Sequence, residues 1–115
     1  MTDTAVAQAR RWYAQRVSAM VLALCVAVHL VVMVVAVRGG LSGAEILART
    51  QGSLAFGAFY TVFVLACAVH VPTGLATIAV EWARWPPARA LWAARAFALL
   101  LAATGLRAVH AVVWA

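Results

Sequence analysis

Two histidines, His29 and His70, each lie inside a long run of Ala, Val and Leu. An imidazole at bilayer depth is costly unless it has a partner, so it marks a functional position by default. Its chemistry there is narrow. It ligates a metal, above all as an axial ligand to haem iron, or it hydrogen-bonds to a neighbouring helix. Gly74 stands one turn beyond His70 on the same face. A missing side chain there lets a flat macrocycle approach the backbone. Ser18, Ala19, Ala27, Ala66 and Thr73 keep side-chain volume low around these positions. Pro72 has no N–H for the Ala68 carbonyl, and a kink at that point shapes a pocket. A third histidine, His110, is one turn from Arg107 near the end of the last apolar run and reads as interfacial.

Arg16 sits where the first apolar run begins. Its guanidinium suits a haem propionate, a quinone oxygen or a lipid phosphate. Ser18, two residues on, either donates to a quinone carbonyl or bonds back to its own helix turn. Arg95 lies one turn into the last run and is expected to snorkel outward. Cys25 and Cys67 lie mid-run at no metal or redox spacing, and read as small buried hydrophobes. The chain carries no P-loop, dinucleotide fingerprint, hydrolytic triad or metal cluster. Redox chemistry in so small an apolar chain is therefore electron transfer through a cofactor.

The elements that position these residues follow from composition. Of 115 residues, 67% are hydrophobic and 10% charged. Soluble chains average about 45–50% apolar and about 25% charged. A disordered chain is excluded by the hydrophobicity, and a soluble domain of this size has too little interior for so much apolar surface. Three apolar runs, about 17–37, 54–80 and 90–114, are each long enough to cross a bilayer core near ~30 Å. They predict an all-α integral membrane protein: three antiparallel transmembrane helices in one membrane-anchor domain, packed as part of a multi-subunit helix bundle. The first run is too long for a signal peptide, and no small-residue cleavage site follows it. Arg38-Gly39-Gly40 ends the first helix, residues 44–49 predict a short interfacial turn, and Pro86-Pro87 breaks the chain before the third helix.

The nine basic residues are all Arg, and the formal net charge is +6. They cluster at the ends of the apolar runs and form no continuous basic face, so they read as topology signals and not as a nucleic-acid surface. Arg10, Arg11, Arg16, Arg84 and Arg89 fall on one side, Arg38 and Arg49 on the other. This places the N-terminus and the second loop in the cytoplasm. Counted from Val17, His29 lies about 18 Å into the first helix; counted from Val80, His70 lies about 15 Å into the second. The two imidazoles are expected at one level, opposite each other.

The chain resembles the cytochrome b membrane-anchor subunits of succinate dehydrogenase (succinate:quinone oxidoreductase), with fumarate reductase anchors as relatives. Members begin helix one with a His-Arg-x-Ser-Gly stretch, and this chain has Gln15-Arg16-Val17-Ser18-Ala19. Members carry in helix two a His, three residues, Gly, an aliphatic residue and Arg, then an acidic–aromatic pair. This chain has His70, Gly74, Leu75, Ala76 and then Glu81-Trp82. The approach to the second helix from Gly52-Ser53 is also similar, and the likeness spans residues 11–114. Gln15, Ala19 and Ala76 depart from the family pattern, and Trp12 lies near the place of a usual serine.

The resemblance implies that haem b is bound with His70 as axial ligand and Gly74 beside it. It implies that Arg16 lies near the haem propionates and the quinone, whether ubiquinone or menaquinone; Ser18, from its residue type, is the other candidate quinone contact. The second axial ligand would be His29 or a residue of a second small anchor subunit. The partners implied are a flavoprotein with FAD, an iron–sulfur subunit and the lipid bilayer, in the bacterial inner membrane. The chain would not be catalytic alone. It would be one subunit passing electrons from succinate to quinone. Other readings are the anchor of a fumarate reductase, another small quinone-linked cytochrome b, or a haem-free structural membrane subunit.

Overall fold

A computed structural model describes residues 4–115 as an all-α chain. The first helix, α1, runs Ala5–Gly39. Its 35 residues make a rod of about 52 Å, well beyond the bilayer core. Thr4 caps it, its hydroxyl accepting from the Ala7 N–H at 3.1 Å. The helix begins twelve residues ahead of the apolar run at Val17. The reason is that apolarity marks only the lipid-immersed part, whereas residues 5–16 are rich in Ala, Gln and Arg, all good helix formers. Gly40, with φ at 116°, ends α1 in a conformation that favours glycine.

A short helix, α2 (Gly43–Thr50), follows at the end of the bundle away from the N-terminus. It starts with a reciprocal capping box: Ser42 Oγ accepts from the Glu45 N–H at 3.2 Å, and the Ser42 N–H donates to Glu45 Oε2 at 3.0 Å. Arg49 folds back to donate to the Gly40 carbonyl. The third helix, α3 (Leu54–Glu81), is capped by Ser53 and contains Pro72. The fourth, α4 (Pro87–Val109), opens with proline in its first turn, where a missing N–H costs nothing. It runs on into a wider π-helical turn, His110–Trp114, closed by the Ala115 N–H on the His110 carbonyl at 2.8 Å.

The helices form a row with α3 between α1 and α4. The seam between α3 and α4 is made by small residues. Ala90, Ala94 and Ala98 recur every four residues and are buried, and Gly105 brings the backbone against Val64. Small residues drive such packing in lipid, where apolar surface gains nothing by leaving the solvent. At the far end the π-turn is stitched to the α2–α3 corner. The Gly52 N–H donates to Val113 and Thr50 Oγ1 to Val112, each at 2.7 Å. Trp114 lies over Gly57, which has no side chain to obstruct it.

Little else is interior. Leu24 is 68% exposed and Leu30 59%, in a helix apolar on every side. Such a helix belongs in lipid. Three helices, Ala5–Gly39, Leu54–Glu81 and Pro87–Trp114, are long and apolar enough to cross a membrane. The chain is a multi-pass integral membrane protein, and the expected all-α three-span architecture stands.

Candidate functional site

The seam between α1 and α3 carries both intramembrane histidines, each against a hydroxyl of the other helix. Ser18 on α1 meets His70 on α3, with Oγ and Nδ1 3.3 Å apart. Ser18 is 4% exposed, and Ala66, one turn from His70, is small enough to let the helices close there. The Ser18 hydroxyl also donates to the Gln15 carbonyl at 3.1 Å. A hydroxyl has a single proton, so with that proton on Gln15 the oxygen can only accept from His70. In a neutral His70 ring this arrangement puts the proton on Nδ1 and the lone pair on Nε2. A neutral ring with this tautomer is the form that ligates a metal, held in orientation from behind.

Gly74 and Gln15 complete this cluster. The Gln15 amide nitrogen would lie 3.5 Å from a Cβ placed on Gly74. The surface beside Gly74 is thus covered by the Gln15 amide instead of lying open for a macrocycle. The Gln15 carbonyl oxygen Oε1 is buried and has no hydrogen-bond partner. A buried, unpaired amide oxygen is destabilising, and any donor brought beside it would be bound favourably. On one side of the seam an apolar groove of about 400 Å³ opens next to Ser18, between Tyr13, Val17, Val62, Leu65 and Val69.

His29 stands elsewhere. Its Nδ1 is 3.3 Å from the Tyr60 hydroxyl, and the rings of Tyr60 and Phe63 meet it edge-on at 5.8 and 5.7 Å. His29 is 11 residues along α1 from Ser18, and Tyr60 is 10 residues along α3 from His70. At 1.5 Å per residue the histidines are about 15 Å apart in depth. The expectation of two imidazoles at one level is corrected. Val17 and Val80 are not at a common height, because the pairing of Ser18 with His70 slides α1 along α3. His29 and His70 cannot both bind one iron in this arrangement.

Arg16 and Ser18 are also separated. Two residues on a helix differ by about 200°, so Arg16 is on the face turned away from Ser18 and α3. It is exposed, with its guanidinium 5.2 Å from the ring centre of Trp12. Arg16 and Ser18, the two candidate quinone-binding residues, therefore face different sides of α1. His110 is exposed in the π-turn, and Cys25 and Cys67 are free thiols.

Tyr60 and Gln15 are the site residues that reasoning from residue type did not single out as functional. A trace of Tyr60 exists in the sequence. Polar positions 11 apart on one run and 10 apart on the other are what an antiparallel pair of hydrogen-bonded contacts requires. Among the described residues, no group of three or more His, Cys, Asp or Glu gathers to hold a bare metal ion. No protein-family model, no curated protein and no solved structure matches this chain.

Proposed function

We propose that the chain is the haem b-bearing membrane anchor of a succinate dehydrogenase, one subunit in the passage of electrons from succinate to quinone. The observation that carries this reading is the Gln15–Ser18–His70 relay, which leaves His70 Nε2 with its lone pair. Metal-bound histidines typically have their second nitrogen fixed in this way. A haem supplies four equatorial nitrogens itself, so one imidazole per chain is a sufficient donor set. Bound haem b would provide a one-electron carrier at bilayer depth.

This chain's residues would then act as follows. Ser18 holds the His70 ring by accepting from Nδ1. A group lying against Gly74 would have to displace the Gln15 amide, and a donor brought there would satisfy its unpaired oxygen. A second ligand to the haem would come from a second small anchor subunit, since His29 is at another depth. Arg16, facing away from α3, meets a propionate or quinone oxygen where that partner packs. Ser18 has its proton on Gln15 and is an orienting group, not a quinone donor. FAD and the iron–sulfur clusters belong to the flavoprotein and iron–sulfur subunits, docked on the cytoplasmic side of a bacterial inner membrane.

A haem-free structural subunit is the rival reading, because Ser18 and Tyr60 already give each histidine a protein partner. The reduced-minus-oxidised spectrum of the membrane complex separates the two. A b-type band lost in His70→Ala and kept in His29→Ala is the expected result. A wild-type complex with neither that band nor a co-purifying flavoprotein overturns the assignment.

A further inference from the structure

Arg95 is a charged group within the last span that the α1–α3 site leaves unused. It lies eight residues beyond Pro87, about 12 Å along the helix from its start. An arginine cannot discharge itself by losing a proton. Its guanidinium carbon is 5.6 Å from the centre of the Trp92 ring, which engages the flat face of the cation. The five N–H donors point outward from the edge of that plane and are not met by stacking. Glu81 lines the same cleft, yet the two form no ion pair.

Two clefts meet at this side chain. One, of about 360 Å³, lies toward the arginine-rich end and is bordered by Arg11, Thr77, Glu81 and Leu91. The other, of about 310 Å³, runs deeper between α3 and α4 along Ala68, Pro72, Ala98 and Ala102. Arg95 lines both. A polar mouth joined through a cation to an apolar groove is the shape of an anionic amphiphile: a charged head above, a hydrocarbon chain below. Basic pockets between helices at a membrane face recognise lipid phosphates in this manner. A phosphate diester offers the in-plane acceptors that a guanidinium fork takes two at a time.

We propose that Arg95 and the α3–α4 groove form a binding site for an anionic phospholipid, its phosphate on Arg95 and an acyl chain along the alanine-lined wall. The site is separate from the His70 cluster, and it stands whether or not that cluster holds haem.

The test titrates the purified full-length chain in neutral detergent with phosphatidylglycerol and, separately, phosphatidylcholine, following bound lipid by native mass spectrometry. Wild type is expected to prefer phosphatidylglycerol. Arg95→Ala weakens that binding about fivefold, the effect of one cation near a lipid phosphate. Arg107→Ala, at the other end of α4, leaves it unchanged. Arg95→Lys keeps the cation but loses the fork and the stacking on Trp92, so its binding is expected to fall between wild type and Arg95→Ala, with the helical circular dichroism of both variants unchanged. Equal loss in Arg95→Lys and Arg95→Ala, or no loss in either, overturns the site. Displacement of the lipid by an equal concentration of inorganic phosphate overturns the acyl groove and leaves a free-anion site. Displacement by a short-chain quinone, dependent on Arg95, overturns the lipid as occupant.

Discussion

A hydroxyl owns one proton, and Ser18 gives it to the Gln15 carbonyl 3.1 Å away. Everything that His70 can do follows from that allocation. Ser18→Ala removes the acceptor at Nδ1, so the ring is free to rotate and to take either tautomer. If His70 holds haem as proposed, this substitution is expected to lower haem affinity about 10–100-fold, the usual cost of a lost group behind a metal-binding histidine. Ser18→Thr keeps the oxygen and is expected to keep most of the haem. Optical titration of the b-type band measures both. Full retention in Ser18→Ala would show that the relay does not orient the ligand. The participants were readable as residue types, since an intramembrane histidine and a serine near the head of a span both stand out against Ala, Val and Leu. Their pairing was not, because Ser18 and His70 are 52 positions apart and only the sliding register of two helices brings them together.

Helices are easier to read than their packing. Apolar runs marked the lipid-immersed stretches, and the turn expected around residues 44–49 is present as α2. The extra turns at the start of α1 carry no apolar signal and were invisible to a search for hydrophobic length. Nor does hydropathy distinguish the alanine seam of α4 from its lipid face. At the far end, Gly57 allows the π-turn to dock. A Cβ there would lie 2.9 Å from Trp114 Cζ2 and 3.3 Å from Val113 Cγ1. The indole cannot retreat without disturbing the stitched carbonyls of Val112 and Val113. Gly57→Ala is expected to destabilise the fold by about 1–3 kcal/mol, as overpacking does. Trp114→Ala in the same chain should recover part of that loss. Unfolding in mixed micelles of the single and double variants checks it, and additive losses would sink the contact. The capping box of α2 carries a pH signature. The Ser42 hydroxyl and then its backbone N–H donate to Glu45 and hold the carboxyl below its ordinary value. A depressed folded value means the contribution is complete above the unfolded-state value, about 4.3. It is lost as pH falls through the lower folded value. Exchange protection of the α2 amides is expected to be flat from pH 7 to about 5 and to fall below about 4. Glu45→Gln should remove the dependence on pH.

At the scale of the whole molecule, two terms decide how the row of helices is arranged: what lipid tolerates and where charge can sit. Lipid tolerates exposed Leu and Val on all sides of α1, so the chain needs no thick core and is held by narrow seams of Ala, Gly and Ser. The charges are then free to set direction. Arg10, Arg11, Arg16, Arg84 and Arg89 gather at one end of the row, with Trp82 and Trp85 in the same loop, while Arg38 and Arg49 lie at the other. Insertion retains arginine-rich segments on the cytoplasmic face. The orientation is tested in a variant whose two native cysteines are alanine, with one new cysteine at an exposed position of α2 or of the α3–α4 loop. In sealed cells, Ala44→Cys is expected to react with an impermeant maleimide added outside, and Ala83→Cys to react only after the membrane is opened. The opposite pattern would invert the molecule. It would put the α3–α4 loop, where hydrophilic subunits are proposed to dock, on the face away from succinate. Labelling of both sites from outside would mean a mixed topology, and the charge asymmetry would then be too weak to orient the chain by itself.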